Sequence, residues 1–194
     1  YRNSQELIDR AGMFIMRNPL QIKKSLLSNV TRTNPLKFYH YDKNQYDIVR
    51  NILKKIHNNN PNDNVLILAR KNKHISKMFE TDYFTEGVDS RVVFKDYPNM
   101  IIDAMSIHSA KGLGADQVIL LNVTNDDFPC PNKEDIWLNN LFKPQGYNEN
   151  YPFAEDRRIF YVALTRTKKD VYLLLPLDKP KISPFVEELY IKEG

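Results

Sequence analysis

The sequence holds one cysteine, Cys130, in 194 residues. It can form no internal disulfide, and no second thiol exists for a cysteine-built zinc site. Flanked by Pro129 and Pro131, it reads as a loop residue, and such sparing use of thiols fits a reducing, cytoplasmic setting. No apolar run approaches the length of a membrane span, and the N-terminus lacks a signal-peptide pattern, so no membrane partner is expected. There is no internal repeat and no initiator methionine. The chain opens on Tyr1-Arg2, and we expect a fragment of a longer polypeptide. Two further absences bear on chemistry. A P-loop needs G-x-x-x-x-G-K-[ST], in which backbone N–H groups wrap phosphates and Lys follows the last Gly. No Gly-Lys pair occurs, and no Asp-Glu pair follows a strand to hold Mg²⁺. A complete nucleoside-triphosphate site of that kind cannot be built from this chain alone.

What is present is ordinary globular material. Hydrophobic residues make up 42%, which argues against disorder. Lys and Arg outnumber Asp and Glu by 28 to 24, a basic excess that permits a polyanionic partner without demanding one. The length suits one α/β domain spanning 1–194, with 124–153, rich in Pro, Asn and Asp, as a long loop or small insertion carrying a short helix near Trp137.

Periodicity predicts the elements. Apolar residues at Leu7, Ile8, Ala11, Ile15 and Met16 give a helix over 4–17, with Ser4 as N-cap and Pro19 beyond the end. A second helix covers 44–57, and a short one 73–80. Strands are predicted at 36–41, 65–69, 104–107, 117–123 and 171–176, with an edge strand at Val92–Phe94. The run AEDRRIFYVALTRTKK at 154–169 reads as a buried helix, and a last helix is expected near 183–191. Continuous apolar strands such as VLILA suit a mostly parallel sheet covered by helices on both faces. Ligands of such sheets gather at the carboxyl ends of the strands.

In HSAKGLGADQ at 108–117, Lys111 precedes Gly112, the reverse of the P-loop order. Taken alone, the pair is a turn with a solvated Lys. Three stretches in order change that: YRNSQ at 1–5, AMSIHSAKGLGADQVILLN at 104–122 and AEDRRIFYVALTRTKK at 154–169. Together they resemble the second RecA-like motor domain of the UvrD/Rep family of superfamily 1 DNA helicases. VLILARKN at 65–72 and Asp127-Phe128-Pro129 resemble further stretches of that family. Only about 35 residues separate the 65–72 stretch from Ser106, so the resemblance is to compact members that lack a large accessory insertion.

The resemblance implies roles. Tyr1 would stack on adenine. Arg2 and Arg166 would reach the ATP γ-phosphate as arginine fingers, a task suited to a planar, permanently charged guanidinium. Read without the family, Arg166 is a surface cation favoured by a helix C-terminus. Ser106 and His108 would touch single-stranded DNA. Lys111, with Gly112, would stand near the nucleotide or a DNA phosphate. Arg70 would hold a DNA phosphate or brace the sheet, and Arg157 and Arg158 would form ion pairs inside the domain. For two fingers to share one phosphate, Arg2 and Arg166 would converge at the carboxyl edge of the sheet, on the face of Ser106 and Lys111. ATP and Mg²⁺ are the implied cofactors. The metal ligands belong to an N-terminal RecA-like domain of the same polypeptide, and no metal site is expected here.

One departure stands out. Where the family places a ribose-binding Glu after K-G-L, this chain has Gly114; Asp116 either substitutes for it or points to water. That departure leaves two rival roles beside the translocase or helicase: an ATP-switched remodeller of protein–nucleic-acid complexes, and a degenerate binding scaffold. The 194-residue chain on its own is expected to hydrolyse no ATP, with or without DNA, because it lacks a P-loop and an acidic Mg²⁺ element. Steady turnover by a preparation freed of contaminating ATPases would contradict this.

Overall fold

The computed structural model describes residues 3–22, 26–130 and 151–190. Tyr1, Arg2 and the short helix expected near Trp137 lie outside the described residues. In chain order the elements are α1 (Gln5–Met16), β1 (Leu36–Tyr41), α2 (Gln45–Asn59), β2 (Val65–Ala69), α3 (Asn72–Ser76) with a 3₁₀ turn at Lys77–Glu80, β3 (Phe84–Glu86), β4 (Val92–Phe94), β5 (Ile102–Ser106), β6 (Ala115–Leu120), α4 (Ala154–Leu164), β7 (Thr167–Pro176) and α5 (Pro184–Tyr190).

Both long helices begin where a short polar side chain can satisfy an unpaired N–H. Ser4 Oγ accepts from the Leu7 N–H, and Asn44 Oδ1 accepts from the Tyr46 N–H at 3.0 Å. Of the apolar positions that predict α2, Ile52, Leu53 and Ile56 are buried, joined by Val49, while Ile48 is half-buried.

The five strands β1, β7, β6, β2 and β5 lie side by side in that order, all parallel. Every residue of β2 is buried, as expected of a strand covered on both faces. On one face α1, α4 and α5 pack over Leu66, Leu68, Val118, Leu120 and Leu173. On the other, α2, Met78 and the β3–β4 hairpin pack over Ile67, Ile102, Ile119 and Leu174. This is the expected RecA-like arrangement.

Two elements differ from expectation. Val92–Phe94 is not an edge strand of the main sheet; it pairs antiparallel with Phe84–Glu86 in a hairpin of its own. The hairpin leans on β5 through the Ser90 carbonyl, which accepts from the Ala104 N–H at 2.9 Å, and so covers an otherwise open sheet edge. The second difference is α4, which ends at Leu164 instead of running to 169. The reason is non-local. Thr167 must pair with Ala115 to start β7, so the chain leaves the helix three residues earlier.

The packing centre of the first face is aromatic. Phe160 of α4 lies 5.3 Å from Phe14, 5.1 Å from Phe128 and 5.7 Å from Phe185, centroid to centroid, in edge-on or tilted pairs. Beside them Arg157 stacks its guanidinium over Phe14 and Phe185 and forks onto Glu188 at 2.6 and 2.7 Å. The expected internal ion pair of Arg157 is therefore present, and Arg158 pairs with Glu155 at 2.8 Å. Phe160→Ala should lower unfolding free energy by about 3–5 kcal/mol, since three ring neighbours cannot close around a methyl group. Urea denaturation checks this, and a loss below about 1 kcal/mol would mean that the cluster does not organise this face.

Candidate functional site

Strand polarity divides the expected site residues between two edges of the sheet. Arg166 immediately precedes β7, at its amino end. Its Nε donates to the Val162 carbonyl at 3.1 Å and its Nη1 to the Leu113 carbonyl at 3.2 Å. It thus closes the C-terminus of α4, as the helix-dipole reading anticipates, and also grips the turn that contains Lys111 and Gly112. That turn needs Gly112, whose φ of 85° is in the left-handed region, although nothing crowds the space a side chain would take. Lys111 and Gly112 are both exposed in it.

The start of the chain meets the same place. Asn3 is buried, and its Nδ2 donates to the carbonyls of Thr165 and Thr167, which flank Arg166. Parts of all three sequence stretches therefore converge: Asn3 from the first, Leu113 from the second, Thr165 to Thr167 from the third. The convergence is at the amino ends of β6 and β7, whereas the sequence reading places it at the carboxyl edge. The cause is the segment 107–114. It leaves the carboxyl end of β5 and returns across the sheet face, burying Ile107 and Ala110, to enter β6 from below. Asp116, the suggested replacement for the missing Glu, is committed elsewhere. It pairs with Lys168 at 3.2 Å and accepts from the Asn64 N–H at 3.2 Å.

Ser106, Arg70 and His108 occupy the opposite, carboxyl edge. β2 and β5 end in register at Ala69 and Ser106, and the Ile107 N–H donates to the Ala69 carbonyl at 3.0 Å. The Ser106 hydroxyl is 2.9 Å from that of Ser109 and shapes the turn, while His108 is exposed. Arg70 is only 7% exposed. Its Nη2 donates to Asp156 at 3.1 Å and its Nη1 lies 3.0 Å from His108 Nε2. Arg70 thus links the end of β2 to the first turn of α4 and to the turn after β5.

Sequence reasoning misses two parts of this edge. One is Asp156. The other is a network around Asp127, whose side chain is 1% exposed. Lys71 Nζ is 2.7 Å from one carboxylate oxygen; His74 Nε2 and Asn122 Nδ2 approach the other at 2.9 and 2.6 Å. Burial would raise the Asp127 pKa, but the hydrogen bonds from His74, Lys71 and Asn122 outweigh it and hold the carboxyl at about 2. Burial, then Asp127, push the nearby Tyr41 hydroxyl up to about 12. The available signal was the Asp-Phe-Pro triplet at 127–129. Among the described residues no cluster of His, Cys, Asp or Glu is arranged to hold a metal ion, and no helix is long and apolar enough to cross a membrane.

Residues 97–176 match the model of the UvrD-like helicase C-terminal domain. The chain is 33% identical over 191 residues to DNA helicase IV of Escherichia coli (strain K12), covering 97% of this chain and 25% of that protein. It is 28% identical over 134 residues to a probable DNA helicase of Mycoplasma pneumoniae, covering 68% and 21%. It thus spans about a quarter of the length of these relatives. Among solved structures, the C-terminal domain of a possible DNA helicase from Lactobacillus plantarum WCFS1 superposes with a TM-score of 0.58 at 15% identity, over 97% of this chain and 93% of that one, a likeness of fold.

The Asp127 network carries a pH prediction. A carboxyl whose folded pKa lies below its unfolded value stabilises the fold above about pH 4, and that stabilisation is lost as pH falls through about 2. Asp127→Asn should therefore cost about 2 kcal/mol near neutrality, with the gap to the native protein closing between about pH 4 and 2. Denaturation at a series of pH values measures the gap; one that stays constant in acid would contradict the assignment.

Proposed function

We propose that this chain, homologous to DNA helicases and matching the UvrD-like helicase C-terminal domain over residues 97–176, is the second RecA-like motor half of an ATP-dependent single-stranded-DNA translocase or helicase. The observation that carries the reading is the hold on Arg166. A guanidinium fastened at Nε to the end of α4 and at Nη1 to the Lys111–Gly114 turn is fixed in plane and direction before any nucleotide arrives. A cation oriented in advance, where phosphoryl charge will develop, requires no reorganisation during reaction. Asn3 anchors the chain directly beside it. Arg2, the next residue toward the start, is the second finger in this reading, and Tyr1 stacks on the base. ATP would lie against this amino edge, shared with an N-terminal RecA-like domain of the same polypeptide. That domain would contribute the P-loop and the Mg²⁺ ligands. Single-stranded DNA would run over the carboxyl edge, past Ser106 and His108.

Gly114, together with the commitment of Asp116 to Lys168 and Asn64, favours a second reading. Without a ribose-binding carboxylate, ATP would act as a conformational switch for remodelling a protein–nucleic-acid complex. DNA-dependent turnover without strand separation would select that reading over the helicase.

In the full polypeptide, Arg166→Ala should lower kcat on the order of 10³-fold. The cost in stability should be about 1–2 kcal/mol, from the loss of two bonds to carbonyls. Arg166→Lys should restore little, because an ammonium cannot span Val162 and the turn with a planar fork. Normal DNA-stimulated turnover by the Ala variant would overturn the arginine-finger assignment.

A further inference from the structure

We propose that Arg70 and Asp156 are positioning residues for the DNA-facing edge: Asp156, in the first turn of α4, holds the buried Arg70, and Arg70 sets the ring of His108 for the strand. The inference rests on the DNA-translocase reading above and adds residues that the reading does not assign.

Three observations carry it. First, Arg70 is buried, with its side chain 5% exposed and a carboxylate 3.1 Å from Nη2. A phosphate approaching it would have to displace or lie against Asp156, which disfavours a direct phosphate contact. Second, the same Arg70 Nη1 lies 3.0 Å from His108 Nε2 and 3.4 Å from Nδ1, so the guanidinium rests against the imidazole and sets the tilt of an exposed ring. Third, the three residues come from three segments: the end of β2, the turn after β5 and the start of α4. The ring is thus referenced to the sheet and to α4 together. That helix runs about 12 Å from Asp156 to its end at Leu164, at 1.5 Å per residue, and Arg166 follows two residues on, so His108 and the amino-edge arginine are referenced to the same helix.

Removing the Asp156 carboxylate would take away an ion pair that holds the buried guanidinium. The guanidinium would turn toward water and release the ring. The sign of the effect separates this from simple electrostatics. Asp156→Asn deletes a negative charge near bound DNA, so a bystander carboxylate would give unchanged or tighter binding, whereas a positioning carboxylate gives weaker binding.

The test measures the affinity of the full polypeptide for a fluorescein-labelled oligothymidylate by anisotropy, over a range of salt concentrations. Asp156→Asn should weaken binding several-fold, about as much as His108→Ala, and should weaken it no further in the His108→Ala background. Arg70→Gln should weaken binding with an unaltered salt dependence. Loss of a phosphate contact would instead reduce the log–log slope by about 0.7 and overturn the proposal. Asp156→Glu secures the test should the Asn variant fold poorly: it keeps the charge and displaces the oxygens, so weakened binding supports the proposal and native affinity overturns it. Unchanged or tighter binding by Asp156→Asn, or additive losses with His108→Ala, also overturn it while leaving the DNA-translocase reading intact. A native polypeptide that binds no oligonucleotide brings down that reading and the proposal together.

Discussion

Phe160 touches three phenylalanine rings from three other parts of the chain: Phe14 in α1, Phe128 in the loop after β6 and Phe185 in α5. These contacts seat α4 on the sheet, and both edges of the domain depend on where α4 lies. Its first turn carries Asp156 to the carboxyl edge, and its last turn offers the Val162 carbonyl to Arg166 at the amino edge. A helix is stiff along its axis, so a shift at one end appears at the other. Arg157 reinforces the seat by adding charge pairing with Glu188 to stacking on Phe14 and Phe185, a use that its planar group permits and an ammonium would not.

Much of the fold was legible because the information was local. Ser4 and Asn44 can each satisfy an orphan N–H, and the apolar stripes behind them have helical spacing, so α1 and α2 follow from neighbours in sequence. VLILA is apolar at five successive positions, which only a strand buried on both faces tolerates at that length. The misreadings involve long-range determinants. Nothing within TRTKK at 165–169 marks Thr167 as a strand residue; its pairing with Ala115 does. Likewise Val92–Phe94 has strand character, but its partner is Phe84–Glu86 and not the sheet.

The candidate site shows the same division. The residue types were readable from the three stretches, but their geography was not. The general tendency of α/β sheets to bind at carboxyl ends places Arg166 with Ser106, and the return of residues 107–114 across the face separates them. Roles decided by burial were also hidden. Arg70 looks the same in sequence whether it faces a phosphate or a carboxylate, and the choice depends on Asp156, which lies 86 residues away. Asp127 was visible as part of a triplet, but its partners Lys71 and His74 come from the segment after the neighbouring strand β2, distant in sequence, around the start of α3.

The two edges differ in kind, and the difference suits the work proposed for each. At the amino edge the fixed group is a cation held by backbone carbonyls. Carbonyls accept from the guanidinium and aim it, which suits a group proposed to meet an anionic phosphoryl group. At the carboxyl edge the buried cation is matched by a carboxylate and rests against an imidazole ring. A guanidinium as deeply buried as Arg70 needs such a carboxylate, because an unmatched charge there would be costly to bury. The two ends of α4 can therefore serve different tasks, provided that the helix keeps Arg166 and the Arg70–His108 contact in fixed relation.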